Sequence, residues 1–91
     1  MKDLCLNVEI SHGGTYCEYF SYVELKELKI LILEKKKNYK IGSNYFSATD
    51  NYITIHKRRN GESVGGYDME RQLILNKINE LLGNRREIGV G

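Results

Sequence analysis

The sequence contains no proline and no tryptophan, and it has only two cysteines among its 91 residues. Two cysteines are too few for the disulfide framework of a small secreted domain, and they lack the spacing of zinc-binding motifs. No apolar run approaches the ~18 residues of a membrane-spanning helix, and the polar N-terminal residues do not resemble a signal peptide. We therefore expect a cytoplasmic protein with no membrane partner, no metal and no cofactor.

A strong charge imbalance is also missing. The formal net charge is +2, and neither half of the chain is basic or acidic. A net charge this small does not by itself drive binding to nucleic acid. Hydrophobic residues make up 41% and charged residues 29%, which is typical of a globular domain.

What the sequence does have is abundant Lys, Asn, Ile and Tyr, with seven tyrosines. AT-rich coding sequences produce this composition. It indicates an AT-rich bacterium, or a phage or mobile element that lives in one.

The N-terminal region predicts a β-hairpin. Residues 4–10 alternate apolar and polar side chains, which is the period of a half-buried strand. Residues 15–22 are rich in strand-forming residues, and Gly13-Gly14 suits a two-residue hairpin turn.

This turn sets the pairing of the two strands. It places Ile10 opposite Cys17 and Val8 opposite Tyr19. Because neighbouring side chains on a strand point to opposite faces, Cys5 and Cys17 then lie on different faces. No disulfide is expected between them.

A helix is predicted next. Ser21 and Glu24 have the spacing of a capping box, and the stretch from Leu25 to Lys37 is dense in helix-forming Leu, Lys and Glu. The apolar run of residues 29–33 is the main alternative, because it also fits a strand.

A second hairpin is predicted after one short or bulged strand over residues 39–48. Residues 52–59 form the clearest strand, Asn60-Gly61 is a strong hairpin turn, and residues 62–67 return. Gly65-Gly66 indicates a bulge or a close backbone approach. The turn pairs Arg59 with Glu62, Lys57 with Val64 and Thr54 with Tyr67.

A second helix is predicted over residues 69–82, with Asp68 as N-cap and Gly83 ending it. The chain is therefore predicted to be one small α+β domain over residues 1–83, with a flexible tail over residues 84–91. Its element order is β-β-α-β-β-β-α, with an antiparallel sheet of about five strands and both helices packed on one face.

Both predicted hairpins have one aliphatic face and one face that carries tyrosine. If both helices cover the aliphatic face, the other face is open to a partner, and tyrosine is enriched in protein interfaces. The alternative is that these aromatic residues fill a second small core. The predicted partner-binding residues are Tyr16, Phe20, Tyr22, Tyr52, His56, Lys57, Arg58, Arg59 and Tyr67.

Catalytic chemistry has little support. His12 and His56 are candidates for acid–base work on a nucleotide or phosphodiester, but nothing in the sequence places them together. Glu9 and Glu18 face each other in the predicted hairpin, where they would repel each other or hold a cation. We therefore expect no catalytic and no metal-binding residue.

The favoured function is a small non-enzymatic protein, encoded by a phage or mobile element, that binds and inhibits a larger protein or nucleoprotein complex. A host defence complex of the CRISPR type is one such partner, and an immunity or antitoxin role fits nearly as well. The first alternative is a dimeric nucleic-acid-binding regulator that uses the basic hairpin of residues 57–59 and the lysine cluster of residues 35–40. The second is the small enzyme built around His12 and His56.

Overall fold

A computed structural model gives the positions of residues 2–11, 13–59 and 62–90, with side chains for all of these except residues 57–59, 62–64 and 84–90. Two helices and six strands follow one another along the chain. They are β1 (Leu4–Glu9), β2 (Thr15–Phe20), α1 (Tyr22–Leu33), β3 (Asn38–Ile41), β4 (Asn44–Ala48), β5 (Tyr52–Arg59), β6 (Glu62–Glu70) and α2 (Arg71–Val90).

The strands form two antiparallel sheets. β1 and β2 make a two-stranded sheet, and β3 to β6 make a four-stranded sheet in chain order. The predicted α+β class with two helices is confirmed. The strands number six instead of about five because a turn at Gly42, whose φ is +60°, divides residues 39–48 into β3 and β4.

One hydrophobic core joins the elements. Strands and helices all contribute to it, and the four-stranded sheet does so from a single face, called the inner face below. Its buried residues are Leu6, Val8, Tyr16, Phe20, Leu25, Leu28, Ile32, Ile41, Phe46, Ile53, Ile55, Met69, Ile74, Leu75 and Ile78.

The register of the first hairpin differs from the prediction. The N–H of Gly13 donates to the carbonyl of Ile10 (3.1 Å), and the N–H of Ile10 donates to the carbonyl of Gly14 (3.2 Å). Ile10 therefore pairs with Gly14 instead of Cys17. Both glycines have positive φ, +95° and +86°, but the turn is longer than the predicted two residues.

The longer turn shifts the pairing by an odd number of residues, so every side chain of one strand changes face. Val8 now lies opposite Tyr16 and Leu4 opposite Phe20. Tyr16 and Phe20 are 4% and 1% exposed and pack in the core. Their predicted place on an open face is wrong.

The capping box at the start of α1 is confirmed. The Glu24 N–H donates to Ser21 Oγ (3.1 Å), and the Ser21 N–H donates to Glu24 Oε1 (2.9 Å). Residues 29–33 are helical, which decides against the strand alternative. This helix buries Leu25, Leu28 and Ile32, so its apolar spacing follows the helical period.

Lys35 ends α1 in a left-handed conformation, with φ of +58°. Its N–H donates to the carbonyl of Ile32 (3.0 Å), and the N–H of Lys36 donates to the carbonyl of Leu31 (3.1 Å). This is a Schellman motif, in which glycine normally takes the left-handed position. A side chain there is a source of strain.

A bulge in the second hairpin moves Tyr67. Arg59 pairs with Glu62 as predicted, but the register shifts between Lys57 and Arg58, so that Lys57 pairs with Gly65 instead of Val64. Tyr67 consequently lies opposite Ile55 on the inner face, and not opposite Thr54 on the outer face. The predicted irregularity at Gly65-Gly66 is confirmed, and the predicted face of Tyr67 is wrong.

The second helix begins later and ends later than predicted. Asp68 lies within β6, where its carboxylate accepts a hydrogen bond from Thr54 Oγ1 (2.6 Å), so it is not the N-cap. The helix continues through Gly83 to Val90. The flexibility of the tail over residues 84–91 stays a prediction.

Replacing Lys35 with glycine should stabilise the protein. Glycine adopts positive φ without the Cβ penalty, so Lys35→Gly should raise the free energy of unfolding by about 0.5–1 kcal/mol. Urea denaturation at neutral pH measures this. The matched control is Lys36→Gly, which removes the same charge at an exposed position without positive φ and should lower stability. Equal losses from both changes would contradict a strained Lys35.

Two buried tyrosine hydroxyls should make the fold sensitive to alkali. Tyr16 Oη and Tyr39 Oη have no hydrogen-bond partner in the part of the chain that the structure describes. Burial raises the pKa of Tyr39 to about 12, against a partial opposing effect of the Arg71 charge. Burial raises the pKa of Tyr16 even more than that of Tyr39, and the charges of Glu18 and Cys17 raise it further. In the unfolded chain these hydroxyls have a pKa of ~10. The stability that depends on their protonation in the folded protein is therefore complete below that pH and is lost as the pH rises above it.

The variants Tyr16→Phe and Tyr39→Phe should therefore be neutral or more stable by up to about 1 kcal/mol at pH ~7, and should lose less stability between pH ~10 and ~12. Denaturant midpoints across this pH range test both expectations, with exposed Tyr19→Phe as the control. A large loss for Tyr16→Phe at neutral pH would mean that its hydroxyl is hydrogen-bonded.

Candidate interaction surface

The solvent side of the four-stranded sheet is the most distinctive surface of the molecule, and we call it the outer sheet face. Strand pairing sets its members, because directly opposed residues share a face. Among the described side chains, one row runs Lys40, Tyr45, His56, Gly66, the next runs Asn38, Ser47, Thr54, Asp68, and the third has Tyr52 and Glu70.

Hydrogen bonds between side chains connect neighbouring strands across the centre of this face. Ser47 Oγ and His56 Nε2 lie 2.8 Å apart, which joins β4 to β5. Thr54 donates to Asp68 on β6 (2.6 Å). Since each bond holds its side chains in one arrangement, this part of the face is ordered before any partner arrives.

Two tyrosines lie in the same region. Tyr45 is 36% exposed and Tyr52 is 43% exposed, on the adjacent central strands β4 and β5. Lys40 Nζ lies 5.2 Å from the ring centroid of Tyr45, within the range of a cation–π contact.

Among the side chains that the structure describes on the outer sheet face, the charged ones lie on its two edge strands. Lys40 is on β3, and Asp68 and Glu70 are on β6. The described side chains of the central strands are tyrosine, hydroxyl groups and His56. Protein interfaces are enriched in aromatic residues and carry charges toward the rim.

The structure brings only part of the predicted site together. Tyr52 and His56 lie on the outer sheet face as expected. Tyr16, Phe20 and Tyr67 face the core side, and the Tyr16 and Tyr67 ring centroids are 6.1 Å apart. Tyr22 is at the start of α1 and not on a sheet. Lys57, Arg58 and Arg59 belong to β5, and their side chains lie outside the described part of the structure.

Sequence reasoning missed Tyr45 and Lys40. With residues 39–48 predicted as one strand, there was no strand pairing to place Lys40 and Tyr45 on a common face. With Gly42-Ser43 read as a turn, Lys40 falls opposite Tyr45, and the next turn, over residues 49–51, places Tyr45 opposite His56. The glycine at the middle of this segment was the available signal.

A second exposed surface lies on α1. Val23 is 72% exposed, and Ile30 and Leu33 are also exposed. Ile30 and Leu33, with Lys26 and Lys29, border a shallow groove toward α2. Lys26 Nζ lies 5.5 Å from the ring centroid of Tyr22 at the same site.

Among the described residues, the candidate cation ligands are not brought together. In the described part of the chain no three His, Cys, Asp or Glu residues are grouped as metal ligands. Glu9 pairs with Thr15 and Glu18 with Leu6, so these two carboxylates do not face each other as predicted. His12 lies outside the described residues, so the alternative of an enzyme built around His12 and His56 stays untested.

Comparisons add no functional information. No protein-family model, curated protein or solved structure matches the chain. Among the described residues, no helix is both long enough and apolar enough to cross a bilayer.

Gly66 keeps the outer sheet face close-packed beside His56. A Cβ added there would lie 3.0 Å from Thr54 Cγ2 and 3.2 Å from the backbone oxygen of Ile55. Gly66→Ala should therefore destabilise the protein by about 1–2 kcal/mol. Thermal denaturation followed by circular dichroism measures the change.

The control is Gly83→Ala in α2, where an added Cβ meets nothing within 4 Å. This change should stabilise the helix by up to about 1 kcal/mol. An unchanged melting temperature for Gly66→Ala would show that the strands separate there at little cost.

Proposed function

We propose that this protein is a small non-enzymatic binding module that contacts a larger macromolecular partner through the outer sheet face. The observation that carries the proposal is the distribution of side chains on that face. Tyr45 and Tyr52 are exposed on its two central strands, one on either side of the row that holds Ser47 and Thr54, and the charges of Lys40 and Glu70 lie on the edge strands. Bound partners bury such aromatic residues and leave charges at the rim in water.

The physical basis for affinity is the low entropic cost of binding. Tyrosine offers a large, stiff contact area with only two side-chain torsions. The sheet backbone and the Ser47–His56 and Thr54–Asp68 hydrogen bonds hold the surroundings in place. A partner therefore meets a surface that needs little reordering.

The finer form of this proposal is a phage or mobile-element protein that acts in the cytoplasm and inhibits a host defence complex, such as a CRISPR effector. Its support is the amino-acid composition, which AT-rich coding sequences produce. A binding module acts most simply by occupying a surface that its target needs.

A double substitution on the outer sheet face tests the proposal. Tyr45→Ala with Tyr52→Ala should weaken partner binding at least roughly 30-fold, about 2 kcal/mol, if the two rings are the anchors of the interface. The same variant should retain its fold, since both rings are exposed. Affinity is measured by titration with the partner recovered from a nuclease-treated host lysate, and folding by circular dichroism.

Tyr19→Ala is the matched control. Tyr19 is an exposed tyrosine on the two-stranded sheet, outside the proposed surface, so this variant should bind as the wild type does. Equal binding by the double variant and the wild type would remove the outer sheet face from the proposal. Retention that vanishes with nuclease and weakens steeply with salt would indicate the nucleic-acid alternative, with residues 57–59 as the contact.

A further inference from the structure

The outer surface of the first hairpin brings the two cysteines of the chain together. Cys5 Sγ and Cys17 Sγ lie 2.8 Å apart. Cys17 is exposed and Cys5 is partly buried. Their hydrogen bond is the largest of the effects that raise the pKa of Cys17.

The register explains this proximity. Cys5 pairs with Tyr19 and Cys17 pairs with Asn7, so the two cysteines are diagonal neighbours on the same face of β1 and β2. The predicted two-residue turn would have separated them to opposite faces, and the expectation that they do not approach each other is wrong. The sulfurs need to move closer by only ~0.8 Å to reach the S–S bond length of about 2.05 Å.

We propose that Cys5 and Cys17 form a redox site, which closes reversibly to an intramolecular disulfide across β1 and β2. The oxidant is a low-molecular-weight disulfide. The thiolate of Cys17, which is the more accessible, attacks one sulfur of that disulfide and releases one thiol, leaving a mixed disulfide on Cys17. The thiolate of Cys5 then attacks Cys17 Sγ and releases the second thiol.

The reaction balances as two protein thiols and one small disulfide giving one protein disulfide and two small thiols. Access to solvent also leaves the cross-link open to attack by a reducing thiol, so the site is reversible. It does not depend on the outer sheet face or on the proposed function.

The cross-link would act on a part of the fold that needs support. Isolated two-stranded hairpins are marginally stable, and this one supplies Leu6, Val8, Tyr16 and Phe20 to the core. A covalent bond between β1 and β2 restricts the unfolded chain and holds the hairpin in its native register.

The test uses the full chain, reduced, freed of reductant and incubated with oxidised glutathione. Intact mass should fall by two hydrogens with no retained glutathione, and peptide mapping without reductant should join Cys5 to Cys17. The oxidised protein should run as a monomer on a non-reducing gel. Its melting temperature should rise by about 10 °C, and dithiothreitol should reverse the rise.

Single variants separate the two steps. Cys5→Ser should keep one glutathione on Cys17, because no second thiol is present to release it, and should show no comparable rise in melting temperature. Cys17→Ser should be modified more slowly, since Cys5 is less exposed. Wild-type protein that retains glutathione on either cysteine, stays reduced, or forms a disulfide-linked dimer would overturn the proposal.

Discussion

The pairing register of the two hairpins controls which side chains of this protein meet the core and which meet water. Side chains alternate strictly along a strand, so a shift of an odd number of residues exchanges the two faces of that strand. The turn after Ile10 and the bulge after Lys57 each introduce such a shift relative to the simplest pairing. These two shifts set the positions of Tyr16, Phe20, Tyr67 and both cysteines.

The consequence for stability is a core that includes aromatic rings from the first hairpin. Tyr16 and Phe20 pack with Leu6 and Val8, and Tyr67 approaches Tyr16 from the four-stranded sheet. Burying Tyr16 and Tyr39 fills volume but leaves their hydroxyls without a protein partner among the described residues. Packing these two rings in the core therefore lowers stability by the free energy of burying a hydroxyl group without a hydrogen bond.

The same shifts define what remains on the outside. On the four-stranded sheet, the outer sheet face has tyrosine and hydroxyl groups on its central strands because the aliphatic residues of β4 and β5 face inward. On the two-stranded sheet, the outer surface keeps both cysteines. The binding surface and the redox site that we propose are therefore separate, on different sheets.

The sequence by itself determined the features that depend on neighbours along the chain. The α+β class, the strand over residues 52–59, the capping box at Ser21 and the apolar stripe of α2 all follow from local propensity and periodicity. Only the tertiary structure decided which aromatic residues are exposed, that Asp68 belongs to β6, and that Cys5 meets Cys17. These features depend on the length of a turn and on one extra residue in a strand. Local sequence leaves the alternative strand pairings nearly equal in energy, and burial in the shared core selects among them.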